Sequence, residues 1–258
     1  TDGAVTVTQG KLEGLSLSCV ELDGGADYIE ANTALQAEMR TSFSWSAWVR
    51  VDDGVTAANQ TILGSRNDGT DRLNLYVATD GRLSLDYVSN NDSKSAIDNS
   101  VTFANGVNAW KQVVATLSYT DSSNAVMKLY VNGEALTLDG TNNGAFSGNM
   151  GNYTTSTEYY FGAENNNGSA RYFLNGGLRD VRLYDFTLSV DQVASLYSGS
   201  HNVTPKYWWK IDEGTGVTAT IEDYGTGTDA DGTGVSLAWT NGTLDLDSTL
   251  TIAANGTL

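Results

Sequence analysis

From Phe43 to Val51 apolar and polar side chains alternate without a break. Phe43, Trp45, Ala47, Val49 and Val51 share one face; Ser44, Ser46, Trp48 and Arg50 share the other. Successive side chains of a pleated strand point to opposite faces, so this run predicts a half-buried β-strand. The pattern recurs. Leu73-Asn74-Leu75-Tyr76-Val77 and Leu83-Ser84-Leu85-Asp86-Tyr87 flank Asp80-Gly81, and residues 127–131 lead into Asn132-Gly133 and Ala135-Leu136. Alternating runs around Asp-Gly or Asn-Gly predict hairpins, because those pairs tolerate the positive φ of tight turns. Residues 111–119 and 158–162 read as further strands.

One helix is expected, and it is short. Ser189 can cap it, Gln192 three residues on completes a capping box, and Val190, Val193 and Tyr197 recur at helical spacing. Gly199 sits where a left-handed residue ends such a turn. This element reads as packing structure. Otherwise the chain is rich in the residues of short strands and turns, with 28 Gly among 258 residues. That length can bury a sizeable core, and an all-β sandwich of this size often forms one domain.

The formal charge of −17 argues against nucleic acid, which needs a basic footprint, and disfavours anionic membrane surfaces. No apolar run approaches the roughly 20 residues that span a bilayer, so membrane insertion is not expected. The lone Cys19 cannot form an intramolecular disulfide and reads as a small buried residue. A disulfide-free β protein fits a bacterial or viral surface better than a secreted eukaryotic domain.

Four motifs in order carry a resemblance. Asp23-Gly24-Gly25-Ala26-Asp27-Tyr28-Ile29 comes first, then Trp110-Lys111-Gln112-Val113-Val114-Ala115-Thr116. Leu129-Tyr130-Val131-Asn132-Gly133 follows, and the last block runs from Phe173 to Tyr197 through Val181-Arg182-Leu183-Tyr184. Residues 15–199 thereby resemble a laminin-G-like jelly roll of the concanavalin A-like superfamily. The resemblance implies an all-β antiparallel β-sandwich that binds or assembles more often than it catalyses. It also points to Asp23 and Asp27 as candidate calcium ligands, although Arg179 stands where many relatives carry an acid. Calcium needs six to eight oxygens, and loops rich in Asp, Asn and Gly can supply them. The alternative is a pair of turn-stabilising aspartates bonded to backbone amides.

Composition shifts near the only proline, Pro205, and predicts a jelly-roll domain over residues 1–204 followed by a small β-rich unit over 205–258. Tyr207-Trp208-Trp209-Lys210-Ile211-Asp212-Glu213-Gly214 resembles the segment that normally opens such a domain. Residues 206–258 therefore read as a small separate β domain or as an extension that donates edge strands. The recipient would be the same chain or a neighbour, and donation to a neighbour would make this a self-assembling protein.

Catalytic chemistry is sparse. The only histidine, His201, lies in a polar connector, which argues against nucleophilic triads. Glycosidases of related fold use paired carboxylates on one strand. Here the only Glu-x-Asp, Glu21-Leu22-Asp23, is followed by Gly24, Gly25 and Ala26, so no second glutamate arrives. Sugar binding would use exposed aromatics for stacking and amides for hydroxyls. Trp48, Tyr153 and Tyr172, with Asn142, Asn143 and Asn166, are the expected ligand-binding residues, against the alternative that each packs or shapes a loop. The leading expectation is a non-enzymatic glycan-recognition or adhesion module on an extracellular, cell or virion surface. A structural subunit assembling through β edges is the second reading, and a glycoside hydrolase the third.

Overall fold

A computed structural model describes residues 5–32, 35–67, 70–89, 92–119, 125–139, 153, 158–200 and 203–252. The first strands are β1 (Val5–Asp23), β2 (Tyr28–Ala31), β3 (Phe43–Val51), β4 (Gln60–Asn67), β5 (Asp71–Val77) and β6 (Leu83–Ser89). Next come β7 (Asp92–Ile97), β8 (Lys111–Tyr119), β9 (Ala125–Val131), β10 (Glu134–Ala135), β11 (Tyr160–Phe161) and β12 (Glu164–Asn166). The last are β13 (Ser169–Arg171), β14 (Asn175–Tyr184), β15 (Tyr207–Trp209), β16 (Thr220–Ile221), β17 (Gly232–Val235) and β18 (Ala238–Ile252).

They form two sheets. One runs β10-β9-β8-β3-β14-β1-β18, with β15 also on β14; the other runs β16-β17-β2-β11-β4-β5-β6-β7, with β12 and β13 beside β4. Pairing is antiparallel throughout the described strands except for β12 on β4, which is parallel. The expected β-sandwich is therefore the observed architecture.

The period-2 strands bury one face each. Phe43, Trp45, Ala47, Val49 and Val51 from β3 meet Leu73, Leu75, Val77, Leu83, Leu85 and Tyr87 from the facing sheet in one hydrophobic core. Each Val, Leu or Phe side chain among them contributes about 1.5–3 kcal/mol by leaving water. At the β9–β10 turn Asn132 (φ 52°) and Gly133 (φ 84°) both adopt the left-handed conformation, as an Asn-Gly hairpin requires.

The segment after Pro205 supplies strands to both sheets of its own chain. β15 pairs with β14, β17 with β2, and β18 with β1. Trp209, Ile211, Ile221 and Leu237 lie in the same core as β3. Trp209 stacks on Trp45 at 6.3 Å and reaches Phe161 of the other sheet at 4.8 Å.

Helix α1 (Val190–Tyr197) carries the expected capping box: Ser189 Oγ accepts from Gln192 N, and Gln192 Oε1 accepts from Ser189 N. It packs Val193 and Leu196 onto Val114, Tyr130 and Tyr184, on the outer face of the first sheet. The outer face of the second sheet carries no such helix among the described residues. That asymmetry positions the candidate site.

Candidate functional site

On β5, Arg72, Asn74 and Tyr76 alternate with the core residues Leu73, Leu75 and Val77, so they stand on the outer face of the second sheet. Register sets their neighbours. Arg66 of β4 is directly across from Arg72, Gly64 from Asn74, and Asp86 of β6 from Asn74 on the other side. The parallel β12 strand sets Glu164 beside Gly64 and Asn166 beside Arg66. Arg66, Arg72, Asn74, Tyr76, Asp86 and Glu164, together with Asn59, Thr61 and Tyr172, line a polar hollow of about 190 Å³.

A second lobe of about 380 Å³ adjoins it, lined by Asp23, Gly24, Thr56, Ala58, Asn59, Gln60, Tyr172, Phe173 and Asn175. Asn59 and Tyr172 line both lobes, so the two meet there as one cleft. Tyr172 is 40% exposed, with the Arg171 guanidinium 4.8 Å from its ring centroid. Its φ of 53° is unusual for a bulky side chain. Thr61 N donates to Tyr172 O at 2.8 Å and ties this conformation to β4.

The cleft floor is a hydrogen-bonded network. Glu164, 1% exposed, accepts from Asn74 Nδ2 at 2.6 Å through Oε1 and from Arg171 Nε through Oε2. Asp86 accepts from Arg72 Nη2 at 3.2 Å and from Ser95 Oγ at 2.6 Å. Burial, with Asp86 adding to it, pushes the Tyr76 phenol up to about 12, so Tyr76 stays protonated near neutral pH. Both Glu164 oxygens are already engaged by protein donors. This carboxylate braces the floor.

The sequence-predicted residues scatter. Tyr172 belongs to the cleft, whereas Asn166 of β12, beside Arg66, lines neither lobe. Tyr153 lies outside it too: it is fully buried, its hydroxyl bonds to that of Tyr159, and its ring stacks on Tyr87 at 5.0 Å. It is a core residue, closed to any ligand. Trp48 lies on the outer face of the other sheet, where it stacks on Tyr197 of α1 at 5.9 Å and carries the Arg179 guanidinium at 5.4 Å. The helix covers it, so it packs and offers no open platform. Asn142, Asn143 and His201 lie outside the described residues.

Asp23 lines the wider lobe and Asp27 does not. Both bond to backbone amides: Asp23 Oδ1 accepts from Gly25 N at 2.7 Å, and Asp27 Oδ2 from Asp23 N at 3.2 Å. Burial pushes the Asp27 carboxyl up, partly offset by that hydrogen bond. Among the described residues no group of three or more His, Cys, Asp or Glu converges to hold a metal ion. The pair by itself falls short of the six to eight oxygens calcium takes. Glu21 is held in a bidentate pair by Arg50 and also accepts from Thr240.

Arg66, Arg72, Asn74, Tyr76, Asp86 and Glu164 did not stand out in the sequence. Their only signal is the polar half of each alternating strand.

The laminin-G-like family model, described as the concanavalin A-like lectin/glucanases superfamily, matches residues 23–194. A Bacteroides ovatus protein described as a candidate carbohydrate binder superposes with a TM-score of 0.60 at 18% identity; the match covers 93% of this chain and 62% of that one. This chain thus spans less than two thirds of that protein's length. The CBM40 module of the Ruminococcus gnavus IT-sialidase gives 0.53 at 14% identity, covering 70% of this chain and 98% of that one. The same module bound to α2,3-sialyllactose gives 0.52 at 15%, covering 70% and 97%. No curated protein sequence matches significantly. At these identities the structural likenesses establish the fold alone. With its sandwich, its capped closing helix and a family match over two thirds of its length, the chain belongs to the concanavalin A-like lectin/glucanase superfamily.

Proposed function

We propose that this protein is a non-enzymatic glycan-binding module, displayed outside the cell, whose binding site is the cleft on the outer face of the second sheet. One observation carries the reading: an open trough combines an exposed tyrosine with carboxamide, hydroxyl, carboxylate and guanidinium groups. Sugars are recognised by that mixture, an aromatic ring for the C–H face and fixed polar groups for the hydroxyls. Structural neighbours described as carbohydrate binders support it.

The test is a glycan array probed with the full chain, with and without a chelator. Binding to at least one glycan class, lost on Tyr172→Ala, is expected. Silence across the array refutes the reading, and hydrolysis of any bound polysaccharide refutes its non-enzymatic part. Loss of binding with chelator would bring in a calcium ion held through Asp23.

A second reading, a subunit assembling through β edges, draws on a different observation. Residues 5–17 pair only with β18, which pairs only with β1. Both outer edges of this two-stranded ribbon are thus unpaired among the described residues, and open edges recruit other chains. Mass photometry of the full chain tests this: a concentration-independent monomer rules it out.

A further inference from the structure

The narrower lobe of the cleft has an excess of donors. Buried side-chain polar atoms without a hydrogen-bond partner are rare in folded proteins. Among the described residues three such atoms belong to side chains that line the lobe, Arg66 Nε, Arg72 Nε and Asn74 Oδ1, and a fourth, Arg171 Nη2, belongs to the arginine that pairs with Glu164 at its floor. Three of the four are guanidinium N–H groups, which can only donate. Asn74, 8% exposed, forms the floor between them.

Charge points the same way. Arg72 is paired with Asp86 and Arg171 with Glu164, whereas Arg66 forms no ion pair among the described residues. With Glu164 neutralised by Arg171 from behind the floor, the lobe's own lining leaves Arg66 and Arg72 against Asp86 alone, on a chain whose formal net charge is −17. A local cation of this kind is held against the sign of the whole molecule. Arg66 and Arg72 are cross-strand neighbours, and two like charges directly opposite each other on a sheet are unfavourable without a counter-charge. Asp86 compensates one of them.

A neutral hydroxyl answers a donor excess poorly, because it brings a donor of its own. A carboxylate brings only acceptors and meets a guanidinium fork with two parallel hydrogen bonds. At about 190 Å³ the lobe is below the roughly 300 Å³ of typical ligand pockets, so it suits one small acidic group, with the wider lobe left for the rest of the chain.

We infer that the Arg66–Arg72 lobe is an acid-sugar subsite, and that this module selects glycans carrying a carboxylate over neutral ones. The inference rests on the cleft being the glycan site. The carboxylate lies against the Arg66 guanidinium, its sugar ring reaches Tyr172 at the junction, and neighbouring residues extend into the wider lobe.

The experiment is calorimetry with the full chain on matched probes: sialyllactose against lactose, and a glucuronate-bearing oligosaccharide against its neutral counterpart. The two acidic probes distinguish a sialic acid from a uronic acid. The expected result is at least tenfold tighter binding of one acidic probe than of its neutral partner, weakening with salt. Arg66→Gln should weaken the acidic probe about tenfold or more relative to its neutral partner, and Arg66→Lys should restore part of that difference. Thermal melts of each variant report folding, since Arg66 is half-buried on its strand. Equal affinity for acidic and neutral partners, or an Arg66→Gln change that weakens both alike, overturns this inference while leaving glycan binding intact. No binding to any probe overturns both.

Discussion

Gly64 is where the fold and the cleft can be separated by one methyl group. Its backbone is ordinary for a strand, yet a Cβ there would lie 2.4 Å from Asn74 Oδ1 and 3.0 Å from Thr61 Cγ2. The Asn74 carboxamide fills the space that a side chain would take. Gly64→Ala must therefore displace Asn74, whose Nδ2 donates to the buried Glu164 at 2.6 Å. A hydrogen bond to a charged group contributes about 1.5–3 kcal/mol. Against that, replacing glycine in a strand recovers about 0.5–1 kcal/mol of backbone entropy. The net expectation is a loss of about 1–2 kcal/mol, or about 2–8 °C in Tm for a chain of this size.

Urea denaturation of four proteins measures it: wild type, Gly64→Ala, Asn74→Ala and the double variant. With Asn74 truncated only the Thr61 methyl stays close, and it needs to give by no more than a few tenths of an ångström. Gly64→Ala should then be neutral or slightly stabilising, giving a coupling energy of about 1–3 kcal/mol between the two positions. Glycan binding should fall in both single variants, because each loosens the floor that orients Glu164 and Arg171. A Gly64→Ala cost that is the same in both backgrounds refutes the argument, since it would place the strain somewhere other than the Asn74 carboxamide.

Two further perturbations probe the core and the turn. Trp209→Ala removes a fully buried ring whose Nε1 donates to Ala230 O at 2.8 Å and should cost about 3–5 kcal/mol in a single cooperative transition; a biphasic melt in which residues before 200 stay folded would show that the tail does not share their core. Burial raises the Asp27 carboxyl above its ordinary 3.8, so the folded state holds its proton to higher pH and stability falls as pH rises through that raised value. Asp27→Asn should therefore stabilise the protein near neutrality, with the gain fading as pH drops below about 4; a variant less stable than wild type at pH 7 would mean that the hydrogen bond from Asp23 N outweighs desolvation.

The strands were legible wherever one face is buried and the other wet, as in β3, β5 and β6, because that geometry writes itself as a period of two. β4 was not legible. Its Thr61-Ile62-Leu63-Gly64 stretch breaks the alternation, and a register irregularity between Thr61 and Leu63 is the structural counterpart. With β4 unread, Arg66 had no visible neighbour, and the Arg66–Arg72 pair depends entirely on that register. Glu164 was hidden in a polar stretch that reads as loop, although β12 pairs it with Gly64. Tyr153 and Trp48 misled for one reason. Tyr153 has polar neighbours in sequence and Trp48 shares a strand face with Ser44, Ser46 and Arg50, yet each is covered through the fold: Tyr153 by Tyr87 and Tyr159, Trp48 by Tyr197. Local pattern reports which residues alternate, but not which face a later helix will cover.

Tyr172 shows why the open face carries the chemistry. A bulky residue at φ 53° costs of order 1–3 kcal/mol, and such strain persists only where the surroundings hold it. Here the Thr61 amide and the Arg171 guanidinium do so, and the result sets an exposed ring where the two lobes of the cleft meet. A purely structural turn at this point would be served better by glycine, which adopts that backbone without strain. Tyr172→Gly should therefore leave stability within about 1 kcal/mol of wild type, the relieved strain offsetting the lost ring contact and the added backbone entropy. Glycan affinity should drop at least about tenfold, the order expected from losing an aromatic platform. A variant that melts like wild type and also binds like it would detach Tyr172 from the site, and with it the reading of the two lobes as one cleft.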